Sequence, residues 1–337
     1  MTMKPNLSRS LLAIPCTLAL FAFAATARAD VEDKITKPYD VKPGGELVVE
    51  VDRGSIEVKT TERATVGIEV IRKARGSDSK AAQILKDHVV TTTQAGNKVE
   101  VRAEYKGAKS SGWFGNSPQI NVSYQISVPR QFAVNLKTAG GNIKITELTG
   151  KAQMHTSGGN LALEKIQGAV SGHTSGGNIS AVGCLGAMDL KTSGGNLHLR
   201  EIEGDVTAQT TGGSIQADKL TGKTVLKTSG GNIKITALKG SVEAKTSGGH
   251  ITAEVLGQPA GACSFGSSGG NIALALSGEV AVDVDAHTSG GNVSTDFPVV
   301  TVVQGAQKQH ELRGKINGGG PLITAHTSGG NIRFEKK

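Results

Sequence analysis

The sequence predicts an all-β fold, a parallel β-solenoid of 18-residue coils. Three observations predict it. Thr-Ser-Gly-Gly-Asn followed by Ile, Leu or Val recurs, in full or degenerate form, from Thr138, Thr156, Thr174, Thr192, Thr210, Thr228 and Thr246, then from Ser267, Thr288 and Thr327. Between the copies, apolar residues recur at every second position, the period of a strand with one buried face. Aromatic residues are 3% of the 337-residue chain, while 46 residues are glycine. That is too few large side chains for an ordinary globular core, but enough for a narrow stack filled by aliphatic layers.

With the first glycine of each pair as position 1, the coil divides into two strands. Position 4 is Ile143, Leu161, Ile179, Leu197, Ile215, Ile233, Ile251, Ile272 and Val293, and position 6 is Ile145, Leu163, Ala181, Leu199, Ala217, Ile235, Ala253 and Leu274. Both belong on one face of a short strand. Position 11 is glycine in every coil from Gly150 to Gly240, after which positions 13 and 15 are mostly small or aliphatic, as in Val206 and Ala208. The glycines are expected at corners, where they accept positive φ without a Cβ clash. Asn at position 3 is expected to form an amide ladder, and Thr at position 17, which shares the parity of 13 and 15, to point inward in a second ladder. A left-handed hexapeptide helix fails on position 10, which holds Thr149, Gln167, Glu203 and Lys239. A calcium-binding nonapeptide repeat fails because no aspartate follows Gly-Gly-Asn-Ile in each half-coil.

The organisation follows from where the period holds. Residues 1–29 read as a signal peptide: Lys4 and Arg9, an apolar stretch from Leu11 to Ala25, then Ala27-Arg28-Ala29 before Asp30. Cleavage removes three of 37 basic residues and no acid, leaving 34 against 29, a net charge of +5. No later run is long enough to span a membrane as a helix. The chain is therefore expected to be exported, to the periplasm, the cell surface or the medium. Residues 30–136 read as a β-rich N-terminal region and cap, with one short helix between Ser77 and Val89, and Gly54-Ser55-Ile56 as a worn copy of the corner. Residues 137–337 read as the solenoid, with an irregular C-terminal cap at 296–326 and a final coil at Thr327. Cys184 and Cys263 fall in coils about 19 Å apart, too far for a disulfide.

The opening Pro43-Gly44-Gly45-Glu46-Leu47, the Thr-Ser-Gly-Gly-Asn-Ile repeats and the closing Ile316-Asn317-Gly318-Gly319-Gly320-Pro321 together resemble the bacterial putative-adhesin β-strand-repeat family, and are similar also to head-GIN and autotransporter-adhesin-like domains. The resemblance covers about residues 38–337. It implies an exported β-solenoid without established enzymatic residues.

The candidate binding residues lie at position 16. In register they are Lys137, His155, His173, Lys191, Gln209, Lys227, Lys245, Gly266, His287 and His326, with no acid in the series. Such a column reads as a basic stripe for an anionic envelope polymer, with Lys191, Lys227 and Lys245 central. The competing reading is a solvated strand face whose long side chains discourage edge association. Nucleic acid is disfavoured, since almost no aromatics lie beside the column for base stacking. Trp113 and Phe114, flanked by Gly112 and Gly115, read as a contact loop for another envelope protein or as a flap over the core end. No catalytic, cofactor or metal site is expected. His155 and His173 lack a third ligand. Glu164, Asp218 and Glu254 share position 7 but fall in coils two, five and seven, which suits no retaining carboxylate pair. The expectation is a non-enzymatic, monomeric envelope protein acting as an adhesin or surface-binding scaffold. The alternatives are a periplasmic scaffold or regulatory partner and, lower in rank, an enzyme acting on an envelope polysaccharide.

Overall fold

The computed structural model describes residues 30–107, 119–301 and 309–337; the expected signal peptide and the Trp113-Phe114 pair lie outside the described residues. Two long sheets of 14 and 15 strands face each other among the described residues. Each repeat gives one strand to each sheet, as Ile179–Leu185 gives to the first and Met188–Thr192 to the second. Successive coils pair in parallel with a register of one coil. Leu161 is paired with Ile143 on one side and Ile179 on the other, all at most 1% exposed. The expected internal file is therefore present, and one continuous core runs along the stack.

The corner departs from expectation in its chemistry. The Gly-Gly pairs do not adopt positive φ. The second glycine is there for space. A Cβ on Gly195 would lie 1.9 Å from the carbonyl oxygen of Gly177 one coil below, and the same 1.9 Å recurs for Gly159, Gly213 and Gly231. The first glycine is looser, with the nearest atom to a Cβ on Gly194 at 3.7 Å. The buried threonine ties this contact together. Thr192 Oγ1 donates to Gly177 O of the coil below at 2.8 Å and accepts from the N–H of Gly195 in its own coil at 3.2 Å. The Asn row works differently from an amide–amide ladder: Asn160 Oδ1 accepts the backbone N–H of Asn178, and Asn178 Oδ1 that of Asn196. Positive φ belongs instead to position 11, such as Gly204 at 133°, and to position 8, where Glu147, Lys165, Glu201, Lys219 and Ala237 hold φ of 52–60°.

The N-terminal region continues both sheets. The strands Gly45–Val51 and Ser55–Thr61 make a coil that stacks directly on Phe132–Thr138 and Ile143–Thr146. Its corner is the worn copy seen in the sequence: Gly54 O accepts from Thr138 Oγ1, and Ser55 Oγ accepts the N–H of Asn142. Lys98–Tyr105 and Ile120–Pro129 stack beyond it. Antiparallel strands then finish the end, with Thr65–Arg75 and Asp30–Asp40 on one sheet and His88–Ala95 on the other. Parallel coils expose unpaired edges, and a reversed strand covers them. The helix forms at Asp78–Asp87, with Ser77 at its N-cap position and Ala81 and Ile84 buried.

The C-terminal end reorders the stack. The Thr327 coil, last in sequence, lies between its two predecessors. Leu322–Thr327 pairs with Cys263–Ser267 on one side and with Val282–Thr288 on the other. Ile332–Lys336 pairs likewise with Ile272–Leu276 and Val293–Thr295. Glu311–Ile316 runs antiparallel to Val282–Thr288 and to Val299–Thr301, closing the second sheet. Cys184 and Cys263 are buried and free, with both thiols pushed up by burial.

One buried group makes the N-terminal end acid-sensitive. His88 is 1% exposed, and neither of its ring nitrogens has a hydrogen-bond partner. Burial lowers its pKa from 6.5 to about 4, with Asp52 at 3.9 Å opposing the shift and Arg72 and Arg53 adding to it. The unfolded chain therefore takes up this proton before the folded one, so stability falls as pH drops from about 6.5 towards about 4, by roughly 3 kcal/mol in all. Chemical denaturation at both ends of that window should show His88→Leu losing less stability than the parent. Equal losses would remove His88 as the cause.

The corner gives a second expectation. Gly195→Ala should destabilise by about 3 kcal/mol or more, because its Cβ must displace backbone. Gly194→Ala, one residue earlier, should stay within about 0.5 kcal/mol of the parent. Thermal unfolding of the two variants checks the contrast.

Candidate ligand-binding face

Parallel stacking turns position 16 into one outward row of the second sheet. Lys137 is paired with His155, His155 with His173 and His173 with Lys191. The row continues through Gln209, Lys227, Lys245 and Gly266 to His326 and then His287. All eight basic candidates therefore lie in one row at sheet spacing, ~4.8 Å per step, with the coil insertion placing His326 before His287.

The structure adds the neighbours that the single column does not show. Position 14, two residues earlier on the same face, supplies carboxylates. Lys191 meets Asp189 at 2.9 Å, and Glu243 bridges Lys245 at 2.8 Å and Lys227 at 3.2 Å. Hydrogen bonds from Lys245 and then Lys227 hold the Glu243 carboxyl below its ordinary value. Lys137 meets Glu50 at 3.2 Å. Glu50 extends the same row beyond Lys137, followed by Arg102 and Thr91. Each lysine thus has a carboxylate partner, and the shared Glu243 leaves one positive charge in excess. The histidines differ: among the described residues, no ion pair involves His155, His173, His287 or His326. The His155 and His173 rings lie 6.1 Å apart at a tilt of 36°, and among the described residues no group of three or more His, Cys, Asp or Glu is placed to hold a metal ion.

At the N-terminal end the row opens into a cleft of about 590 Å³. Glu50, Asp52, Arg102, Glu104, Lys137 and His155 are among the residues that line it. The sequence reading missed it because residues 30–136 do not keep the period. The signal was present in Gly54-Ser55-Ile56: counting back from that corner places Glu50 at position 16.

The carboxylates of position 7 are separated and occupied. Glu164 meets Lys144 at 3.3 Å, Asp218 accepts from Thr236 Oγ1 at 2.7 Å, and Glu254 meets Lys337 at 2.7 Å. The expected surface pairs Glu147–Lys165 and Glu201–Lys219 form, each at 3.1 Å.

A single family model matches residues 45–335, from the first residue of the first solenoid coil almost to the end of the chain. The chain belongs to the Toastrack DUF4097 family. This is a family of unknown function, consistent with the adhesin-type repeat resemblance. Solved structures similar to this Toastrack chain include a putative adhesin from Bacteroides fragilis NCTC 9343, at 15% identity over 90% of this chain and 97% of that one, with a TM-score of 0.34. Another is a putative lipid binding protein from Parabacteroides distasonis ATCC 8503, at 13% identity over 90% and 96%, with a TM-score of 0.37. A third is a putative cell adhesion protein from Clostridium sporogenes ATCC 15579, at 12% identity over 90% and 100%, with a TM-score of 0.20. No curated protein matches the Toastrack chain. Among the described residues, no helix is long and apolar enough to cross a membrane.

Proposed function

We propose that this Toastrack protein is an exported, non-enzymatic component of the cell envelope that holds an anionic polysaccharide along the outward face of its second sheet. The observation that supports this reading is the row from Lys137 to His287, in which Lys, His and Gln side chains repeat at sheet spacing, interrupted only at Gly266, with no acid between them. A rigid row suits a polymer, because each contact is weak and the sum is not. At neutral pH the lysines are largely balanced by Glu50, Asp189 and Glu243. Among the described residues the four histidines form no ion pair, and Glu311 stands opposite His287 across the antiparallel pair.

The test uses the chain without its signal peptide and a soluble polyuronate, with calorimetry at several salt concentrations. Reversing Lys191, Lys227 and Lys245 to glutamate should weaken binding by about tenfold or more. Glu243→Gln should strengthen it, because that change releases two lysines. Affinity unchanged by the lysine reversal would overturn the reading. A bound envelope protein lost on changing Trp113 would support the partner-scaffold alternative in its place.

A further inference from the structure

The strand that covers the N-terminal end of the second sheet has an outer edge of its own. Among the described residues, the first sheet ends at Asp30–Asp40 and Val293–Thr295, and the second at His88–Ala95 and Val299–Thr301. A free edge invites pairing with another chain, and proteins blunt it with charge, proline or shortness. Val293–Thr295 and Val299–Thr301 are short, and Asp30–Asp40 carries Glu32, Asp33, Lys34, Lys37 and Pro38. His88–Ala95 has none of these guards. From Val89 it reads Val-Val-Thr-Thr-Thr-Gln-Ala, without charge, proline or glycine and rich in β-branched residues that favour strands.

The hairpin with Lys98–Tyr105 fixes which backbone groups face outward from this edge. The two strands are antiparallel, and the N–H of Lys106 donates to Asp87 O at 2.8 Å. Bonded pairs alternate along such a ladder, so Val89, Thr91, Thr93 and Ala95 direct their backbone groups to that partner. His88, Val90, Thr92 and Gln94 direct theirs the other way. Arg72 donates to His88 O at 2.6 Å, but no strand among the described residues takes the N–H or C=O of Val90, Thr92 or Gln94. The strand is also held in place from its inner side. Tyr39 Oη donates to Thr92 Oγ1, and Gln94 Nε2 to Asp40 O, both at 2.6 Å.

We propose that this edge joins two copies of the chain, His88–Ala95 against His88–Ala95, antiparallel about a two-fold axis through Thr92. Val90, Thr92 and Gln94 then exchange backbone bonds with Gln94, Thr92 and Val90 of the second copy. On the outward face Thr91 falls opposite Thr93 and Val89 opposite Ala95, pairs that suit a sheet. The charges behind the edge fit a second copy. Lys98, Glu100, Arg102 and Glu104 lie directly behind Ala95, Thr93, Thr91 and Val89. Across the axis, Arg102 is in line with Glu100 of the second copy and Lys98 with its Glu104, three strand steps or roughly 14 Å away. Every such line runs from base to acid, and none sets like charges together. Within one chain Arg102 already meets Glu100 at 2.6 Å and Lys98 meets Glu46 at 3.5 Å, so the complementarity selects the partner more than it adds strength. The axis is perpendicular to the sheet, which keeps both outward faces on one side, and the surface is the same patch on both copies. This contact replaces the monomer expected from the sequence, and none of its residues belongs to the row from Lys137 to His287.

Analytical ultracentrifugation of the chain without its signal peptide should show a dimer that grows with concentration. Thr91→Lys together with Thr93→Lys sets like charges opposite each other and should weaken the dimer by about tenfold or more. Thr91→Glu with Thr93→Glu should do the same, and mixing the two variants should restore a one-to-one heterodimer. Both positions are exposed, so circular dichroism and thermal unfolding of the monomers should match the parent. A chain with Thr91→Cys mixed with one carrying Thr93→Cys should form a disulfide-linked heterodimer more readily than either alone, because identical positions lie on a diagonal. A chain that stays monomeric at every concentration, a dimer that survives both charge variants, or cross-linking no greater in the mixture than in either variant alone would each overturn the proposal.

Discussion

The structure depends on the approach of one glycine to another across neighbouring coils. The second glycine of each pair sits where no Cβ fits, directly over the carbonyl of the same glycine one coil below. A buried threonine joins the two layers by donating to that carbonyl and accepting the N–H of its own glycine. A buried hydroxyl without partners would cost about 1–3 kcal/mol; here both its roles are used. The contact sets the height and the lateral register of each coil at once. A coil alone buries too little to offset the entropy of ordering its residues, so the stability lies between coils, as in other repeat proteins.

The same register generates the outward rows. Once Thr156 is fixed over Thr138, His155 must lie over Lys137 and Met154 over Leu136, because a strand has a period of two. The face is therefore a consequence of the corner, and its chemistry is a matter of which residues occupy positions 14 and 16. Position 16 alone looks strongly basic. With position 14 and Glu50 beside it, the lysines become members of local ion pairs, each exposed and individually weak, and the histidines stand outside those pairs. Binding to such a face draws on repetition more than on any single contact.

The ends follow a different logic. A parallel stack has an open edge at each end of each sheet; at the N-terminus these are covered by antiparallel strands and a helix, and at the C-terminus the antiparallel strand Glu311–Ile316 covers the second sheet while the first ends at Val293–Thr295. The coils nearest the ends are not laid down in chain order. Coils 45–61 and 322–336 both lie between neighbours that precede or follow them in sequence, so each is paired on both sides. An end coil with two partners gains two ladders on each sheet, where a coil added last would gain one.

The sequence by itself determined the repeating part: the solenoid, its 18-residue step, the internal file of Ile143, Leu161 and Ile179, the inward threonines, the free cysteines and the single row of position-16 residues. These were legible because a periodic chain repeats one local environment many times, so each position declares its surroundings through what it tolerates. The same reading located the worn corner at Gly54 and the helix near Asp78. Only the tertiary structure decided the rest. Asp30–Asp40 is a strand with little apolar alternation, held by its partner Thr65–Arg75 and not by its own pattern. The left-handed position 8 carries Glu, Lys or Ala, residues that do not advertise positive φ. The pairing of Lys227 and Lys245 through Glu243, the cleft beside Glu50 and Arg102, and the insertion of the Thr327 coil between earlier coils all join residues from different coils or from outside the repeat. Position within a repeat says which face a residue takes, but spatial order along the stack is set by which strands pair, and that is a property of the assembled sheets.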